Sequence, residues 1–145
     1  MKSLTIGKWV IYGASFKQAP RCNAEFKLKL APELKDPAHH TLNIPDFGLP
    51  EVEDVKEAIR LMEPHDTIFM GCFGGIGRTG TIIGCVLQHH REKVRNSVLF
   101  KLKRWIGRPL PQEFTPSDPV EWVRANYIPH AIETEAQEDF VRQFK

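Results

Sequence analysis

The pattern of the chain predicts an α/β fold, a three-layer-type sandwich whose small, largely parallel central sheet is flanked by helices. Strand-like segments come first and helix-like segments later. A short apolar run, TIFM at 67–70, leads into the glycine-rich stretch GCFGGIGRTGT at 71–81, which opens a helical pattern. With 145 residues and 41% hydrophobic content, residues 1–145 are expected to form one domain around one core.

The first segment, LTIGKWVIY at 4–12, is rich in β-branched and aromatic residues and reads as a strand. AEFKLKL at 24–30 alternates apolar and charged residues with a period of two, and TLNI at 41–44 reads as a third strand. In VEDVKEAIRLM, Val52, Val55, Ile59 and Met62 recur at helical spacing, which predicts an amphipathic helix on the sheet. TIFM is continuous enough to be a strand buried on both faces. Beyond the glycines, a helix is expected from about Thr79 through TIIGCVLQHHREKV, then a second over NSVLFKLKRWI that stops at Gly107 and Pro109. Residues 107–119 carry four prolines and read as a loop, followed by a short helix, EWVRAN. The last helix begins near Thr134, where Thr134 and Gln137 fit a capping box.

Composition excludes several classes. Twenty basic and 18 acidic residues give a net charge of +2, which argues against a nucleic-acid partner. The N-terminal MKSLTIGKWVIYG lacks the features of a signal peptide, and no run approaches membrane-span length. Cys22, Cys72 and Cys85 form neither a disulfide framework nor a zinc pattern, so a reducing, cytoplasmic setting is expected. The neighbours His39 and His40, and likewise His89 and His90, diverge on a strand or helix, so no metal and no cofactor is expected. Trp9, Trp105 and Trp122 read as core or rim residues.

The glycine-rich stretch carries the chemistry. Gly74, Gly75 and Gly77 allow backbone N–H groups to turn inward around an anion, and the following helix adds its free donors and the positive end of its dipole. Arg78 supplies a planar fork of donors suited to phosphate oxygens. The same field favours a thiolate at Cys72, whose pKa is expected below the free value of roughly 8.5. A nucleotide-binding loop would need lysine where Arg78 stands.

CFGGIGRT, running from Cys72 to Thr79, resembles the Cys-x5-Arg-[Ser/Thr] signature of the cysteine-dependent protein tyrosine and dual-specificity phosphatases. IPDFGLP at 44–50 is similar to that family's mobile acid loop, with Ile44 in place of the usual tryptophan, and AIETEAQEDFV at 131–141 is similar to its water-positioning segment. The resemblance implies the phosphatase fold and a phosphocysteine mechanism. Cys72 would be the nucleophile, Arg78 and the loop residues Phe73, Gly74, Gly75, Ile76 and Gly77 the phosphate cradle, Asp46 the general acid, and Thr79 the stabiliser of the departing thiolate. Glu133 and Gln137 would position water, although capping explains Gln137 and solvation explains Glu133 equally well. Asp118, in TPSDP, is a reserve candidate for the acid. Gly71 stands where the family usually has a histidine that helps to organise the loop, which puts the extent of thiolate stabilisation in question.

The implied partners are a phosphorylated protein or peptide and phosphate- or vanadate-type oxyanions. The loop carries no lysine, so phosphotyrosine is favoured over a polyphosphorylated headgroup, with phosphoserine and phosphothreonine left open. Alternatives on the same scaffold are a phospholipid or RNA 5′-phosphatase, or a low-activity phosphopeptide-binding pseudophosphatase.

Overall fold

The structure is a computed structural model that describes residues 1–109 and 112–145. Five strands, β1 (Lys2–Ile6), β2 (Trp9–Ser15), β3 (Phe26–Lys29), β4 (His40–Thr41) and β5 (Thr67–Cys72), form one sheet in the order β1-β2-β5-β3-β4. Among the described residues β1 and β2 pair antiparallel and the other strand pairings are parallel. The helices are α1 (Val52–Met62), α2 (Gly77–Arg95), α3 (Val98–Trp105), α4 (Pro119–Asn126) and α5 (Glu135–Gln143). The predicted α/β architecture with its largely parallel sheet is what forms.

β5 lies between β2 and β3, and Ile68 to Cys72 are all buried. The unbroken apolar run therefore marks a central strand covered on both faces, as its composition predicts. The side chains of Ile68, Met70 and Cys72 point to one face of the strand and that of Phe69 to the other. Phe69 meets Phe16 edge-on at 5.7 Å, which brings the 3-10 turn Phe16–Arg21 across the sheet just below the loop.

Three sequence expectations are corrected. LTIGKWVIY is two strands, because the chain reverses at Gly7 and Lys8 and pairs Ile6 with Trp9. TLNI is not a strand over its length: only Thr41 pairs, while Leu42 and Ile44 turn into the core and the Ile44 carbonyl leaves the sheet to accept from Arg78. Helix α2 begins at Gly77, two residues before Thr79, so the loop is shorter and tighter than the glycines suggested.

Helix α1 buries Val55, Ile59 and Met62 of the predicted stripe, with Ala58 beside them, whereas Val52, in the first turn ahead of the packed face, is 40% exposed. Helix α5 starts with the predicted capping box: the Thr134 hydroxyl accepts from the Gln137 N–H and the Gln137 side-chain oxygen accepts from the Thr134 N–H. The described part of the 107–119 loop is held by Arg91, a fully buried arginine of α2 that donates to the carbonyls of Glu113, Pro116 and Ser117 at 2.7 Å each; Leu110 and Pro111 lie outside the described residues. Trp9 and Trp122 are buried, whereas Trp105 stands 83% exposed.

Candidate active site

The site forms where β5 ends and α2 begins. Cys72, the last residue of β5, is buried, and two donors converge on its sulfur: the Gly75 N–H at 3.2 Å and the Thr79 hydroxyl at 3.2 Å. The Cys72 N–H donates to the same Thr79 oxygen at 3.0 Å. Because that oxygen accepts from the N–H, its one proton is left to point at sulfur. Thr79 is thereby fixed as a donor to Cys72.

The loop needs glycine at two places for different reasons. Gly75 has φ +75°, and a Cβ there would strike the backbone of Ala14 and Ser15. Gly71 has no Cβ because the backbone of β2 and the 3-10 turn fill the space: the added atom would lie 2.5 Å from the Ala14 carbonyl oxygen and 2.8 Å from the Phe16 nitrogen. This accounts for the missing histidine. The contacts that organise the loop come from elsewhere, namely Thr79 and the Tyr127 hydroxyl, which donates to the Gly75 carbonyl at 2.6 Å. Burial raises the Tyr127 pKa, and the neighbouring Cys72 charge pushes in the same direction, so the phenol keeps its proton as a donor. No side chain caps the start of α2.

Arg78 is 2% exposed. Its Nη1 donates to the Ile44 carbonyl at 2.9 Å, and the two Nη atoms grip Glu33 at 3.1 and 2.6 Å. Burial opposes its charge, but the hydrogen bond and charge of Glu33, together with the charges of Cys72 and Asp46, outweigh it and raise the pKa. The bond to Arg78 in turn holds the Glu33 carboxyl below its ordinary range. Asp46 reaches the same guanidinium at 3.5 Å and is otherwise open to solvent. It sits in a turn closed by Gly48 N–H to the Pro45 carbonyl at 2.8 Å, with Phe47 at φ +57°. A left-handed phenylalanine is a strained choice for such a turn, and strain of this kind gathers at working loops.

The acid-loop candidate is tied down from the C-terminal end. Gln137 is fully buried; its side-chain oxygen accepts from the N–H groups of Glu133 and Thr134, and its Nε2 donates to the Gly48 carbonyl at 3.2 Å. The Glu133 carboxyl lies against Gly77, in the space a side chain there would take. Thus Cys72, Thr79, Arg78 and Asp46 lie together, Glu133 borders the loop, and Gln137 links that border to the turn that carries Asp46. Phe73 and Gly74 are exposed, Ile76 is half-buried, and Gly75 and Gly77 are buried.

Asp118, the reserve acid, is otherwise engaged: it caps α4 by accepting from the Glu121 N–H and receives Arg142 at 2.9 and 3.2 Å. The Arg142 hydrogen bonds hold its pKa down. Glu33 and Tyr127 were not anticipated. Glu33 lies 45 residues before Arg78, and no spacing rule links them. Tyr127 follows a short helix and reads only as another aromatic.

Comparison with known proteins shows the family to which the chain belongs. Residues 19–141 match the family model described as Swiss Army Knife protein, DSP-PTPase phosphatase domain. The chain belongs to that family, within the cysteine-dependent protein tyrosine and dual-specificity phosphatases. Two uncharacterized proteins of Methanocaldococcus jannaschii are each 30% identical over 110 residues, covering 72% of this chain and 58% and 54% of theirs. The chain thus spans little more than half the length of these relatives. The mouse dual specificity protein phosphatase CDC14B is 42% identical over 62 residues, covering 41% of this chain and 13% of its own. Among solved structures, Tk-PTP in its active form superposes with TM-score 0.65 at 20% identity, covering 99% of this chain and 95% of that one. The core catalytic domain of the PP-IP phosphatase SIW14 from S. cerevisiae superposes with TM-score 0.56 at 17% identity, covering 99% and 85%. At these identities the two superpositions bear on the fold.

Proposed function

We propose that the protein hydrolyses phosphotyrosine in proteins or peptides, with phosphoserine and phosphothreonine as further substrates, through a phosphocysteine intermediate. The observation that carries this reading is the convergence of the Gly75 N–H and the Thr79 hydroxyl on the Cys72 sulfur, beside a buried, carboxylate-oriented Arg78. The sulfur attacks phosphorus in line with the ester oxygen, forming an S–P bond as the P–O bond breaks. Loop N–H groups and Arg78 hold the three non-bridging oxygens. Asp46 gives its proton to the departing oxygen, then takes one from the water that attacks phosphocysteine. As the S–P bond breaks, Thr79 donates to the sulfur that leaves, and inorganic phosphate is released. Glu133, at the edge of the loop, helps to place that water, and Gln137 holds the acid loop in reach of it.

The substrate preference rests on the walls. Phe73 of the phosphate loop is 54% exposed and Phe47 of the acid loop is 61% exposed, so both segments that meet at Arg78 present an aromatic ring. Such walls suit an aryl phosphate. Three free cysteines, all buried, support a reducing, cytoplasmic setting. A second substrate class follows from the likeness to the PP-IP phosphatase domain and from Lys17, whose ammonium lies 4.8 Å from the Phe73 ring centre. One cation at the rim suits an additional phosphate.

Turnover measured in the presence of a chelator tests both. The panel is p-nitrophenyl phosphate, phosphotyrosine and phosphoserine peptides, a phosphoinositide, an RNA 5′-phosphate and an inositol pyrophosphate. Phosphotyrosine should have the highest kcat/KM, vanadate should inhibit, and Cys72→Ser should abolish turnover while retaining phosphopeptide binding. Phosphopeptide binding without turnover by the unaltered protein would make it a pseudophosphatase. Preference for the inositol pyrophosphate would replace the tyrosine reading.

A further inference from the structure

Helix α3 presents its apolar side to solvent. Phe100 alone is buried, stacked on Phe114 at 5.3 Å, whereas Val98, Leu99, Leu102, Trp105 and Ile106 are exposed, Val98 and Trp105 at 83% each. At about 100° per residue, these five side chains occupy an arc of about 120°, opposite the direction of Phe100. Five of the ten exposed large hydrophobic residues described lie in this one stretch of nine. A helix that only supported the fold would face the other way.

The sequence around this arc is basic, although Lys93 at its start is paired with Glu63 at 3.3 Å. From Lys93 to Gln112 the sequence contains no acidic residue and six basic ones, Lys93, Arg95, Lys101, Lys103, Arg104 and Arg108, in a chain whose net charge is only +2. Lys101 and Lys103 fall on opposite flanks of the apolar arc, and both are exposed. This is the layout of a helix lying flat on an anionic bilayer: apolar side chains and an indole enter the headgroup boundary, while lysines on either side reach to lipid phosphates and carboxylates. No described helix is long and apolar enough to cross a membrane.

We propose that the exposed face of α3 docks the protein on an anionic lipid surface. The site lies at the N-terminal end of α2, and α3 follows its C-terminal end, about 28 Å along the helix axis. Docking therefore leaves the site free, and turnover of a soluble substrate does not depend on it.

Sedimentation of the protein with vesicles tests this. One set is phosphatidylcholine alone and the other is one-third phosphatidylserine. Partition should be at least about tenfold higher on the anionic set and fall in about 0.5 M salt. Trp105 emission should shift to the blue on binding, with Trp105→Phe removing the shift, since Trp9 and Trp122 are already buried. Leu102→Ser with Trp105→Ser, and separately Lys101→Glu with Lys103→Glu, should each lower partition about tenfold or more. Both double variants should keep p-nitrophenyl phosphate turnover, which reports that they fold. The proposal is overturned if the folded protein ignores anionic vesicles or if the variants bind as well as the parent. It is equally overturned if the face proves instead to mediate self-association, seen as a concentration-dependent dimer lost with Trp105→Ser, without vesicle binding.

Discussion

The Tyr127 hydroxyl donates to the Gly75 carbonyl at 2.6 Å, linking the residue after α4 to the middle of the glycine-rich loop. The Tyr127 ring lies against Gly13 of β2, so its position is set by packing as well as by that bond. Tyr127→Phe keeps the ring and removes the donor, leaving a buried carbonyl unpaired at a cost of about 1–3 kcal/mol. Because Gly75 N–H also contacts the Cys72 sulfur, the loss should appear in kcat more than in KM. Urea unfolding and steady-state kinetics on p-nitrophenyl phosphate check it; unchanged kcat and stability would mean that the bond contributes nothing.

Restoring histidine at position 71 should harm this protein rather than help it. Even the Cβ of Gly71→Ala meets backbone atoms of Ala14 and Phe16, which cannot swing aside as a side chain would. We expect Gly71→Ala to destabilise by about 1–3 kcal/mol and Gly71→His by more. Thermal unfolding of the two variants distinguishes this from the expectation that a family-like histidine improves the nucleophile.

Glu33 orients Arg78, and the pairing titrates. A carboxylate whose folded pKa is depressed stabilises the fold above its unfolded pKa, about 4.3 for glutamate, and loses that contribution as pH falls through the folded value. The stability gap between the parent and Glu33→Gln should therefore be present at neutral pH and close under acid. With Glu33 45% exposed, solvent screening keeps it under about 1 kcal/mol. The larger effect should be catalytic: Glu33→Gln keeps the shape but weakens the grip on the guanidinium, lowering kcat/KM about tenfold or more. Denaturation against pH and kinetics at pH 7 separate the two effects.

Arg91 holds three carbonyls of the proline-bearing loop from within the core, and among the described residues no carboxylate forms an ion pair with its guanidinium. Burial is the main force lowering its pKa, and nearby Arg95 acts in the same direction. Arg91→Met should unpair all three carbonyls and cost about 3 kcal/mol, while kcat per folded molecule stays near that of the parent. A loss of activity that exceeds the loss of folded protein would refute a purely structural role.

Much of the architecture was legible because it is written in local patterns. The unbroken apolar run of β5, the period of α1 and the Thr134–Gln137 capping box each depend on residues close together in the chain. Turn chemistry was harder to read: the reversal at Gly7 and Lys8 sits inside a run that is otherwise continuously strand-like. The segment NSVLFKLKRWI was legible as a helix, but a helical pattern does not say which side faces the core.

The sequence by itself determined the nucleophile candidate, the arginine six residues later and the helix that follows them, since a loop of this length brings its own ends together. Only the tertiary structure decided that Glu33 grips Arg78, that Tyr127 supports Gly75, and that position 71 has no room for a side chain. These partners are 45 and 52 residues apart in the first two cases, and in the third the obstacle is backbone from another strand. Such contacts follow from how the parallel sheet stacks β2 beside β5, a geometry that no local spacing encodes.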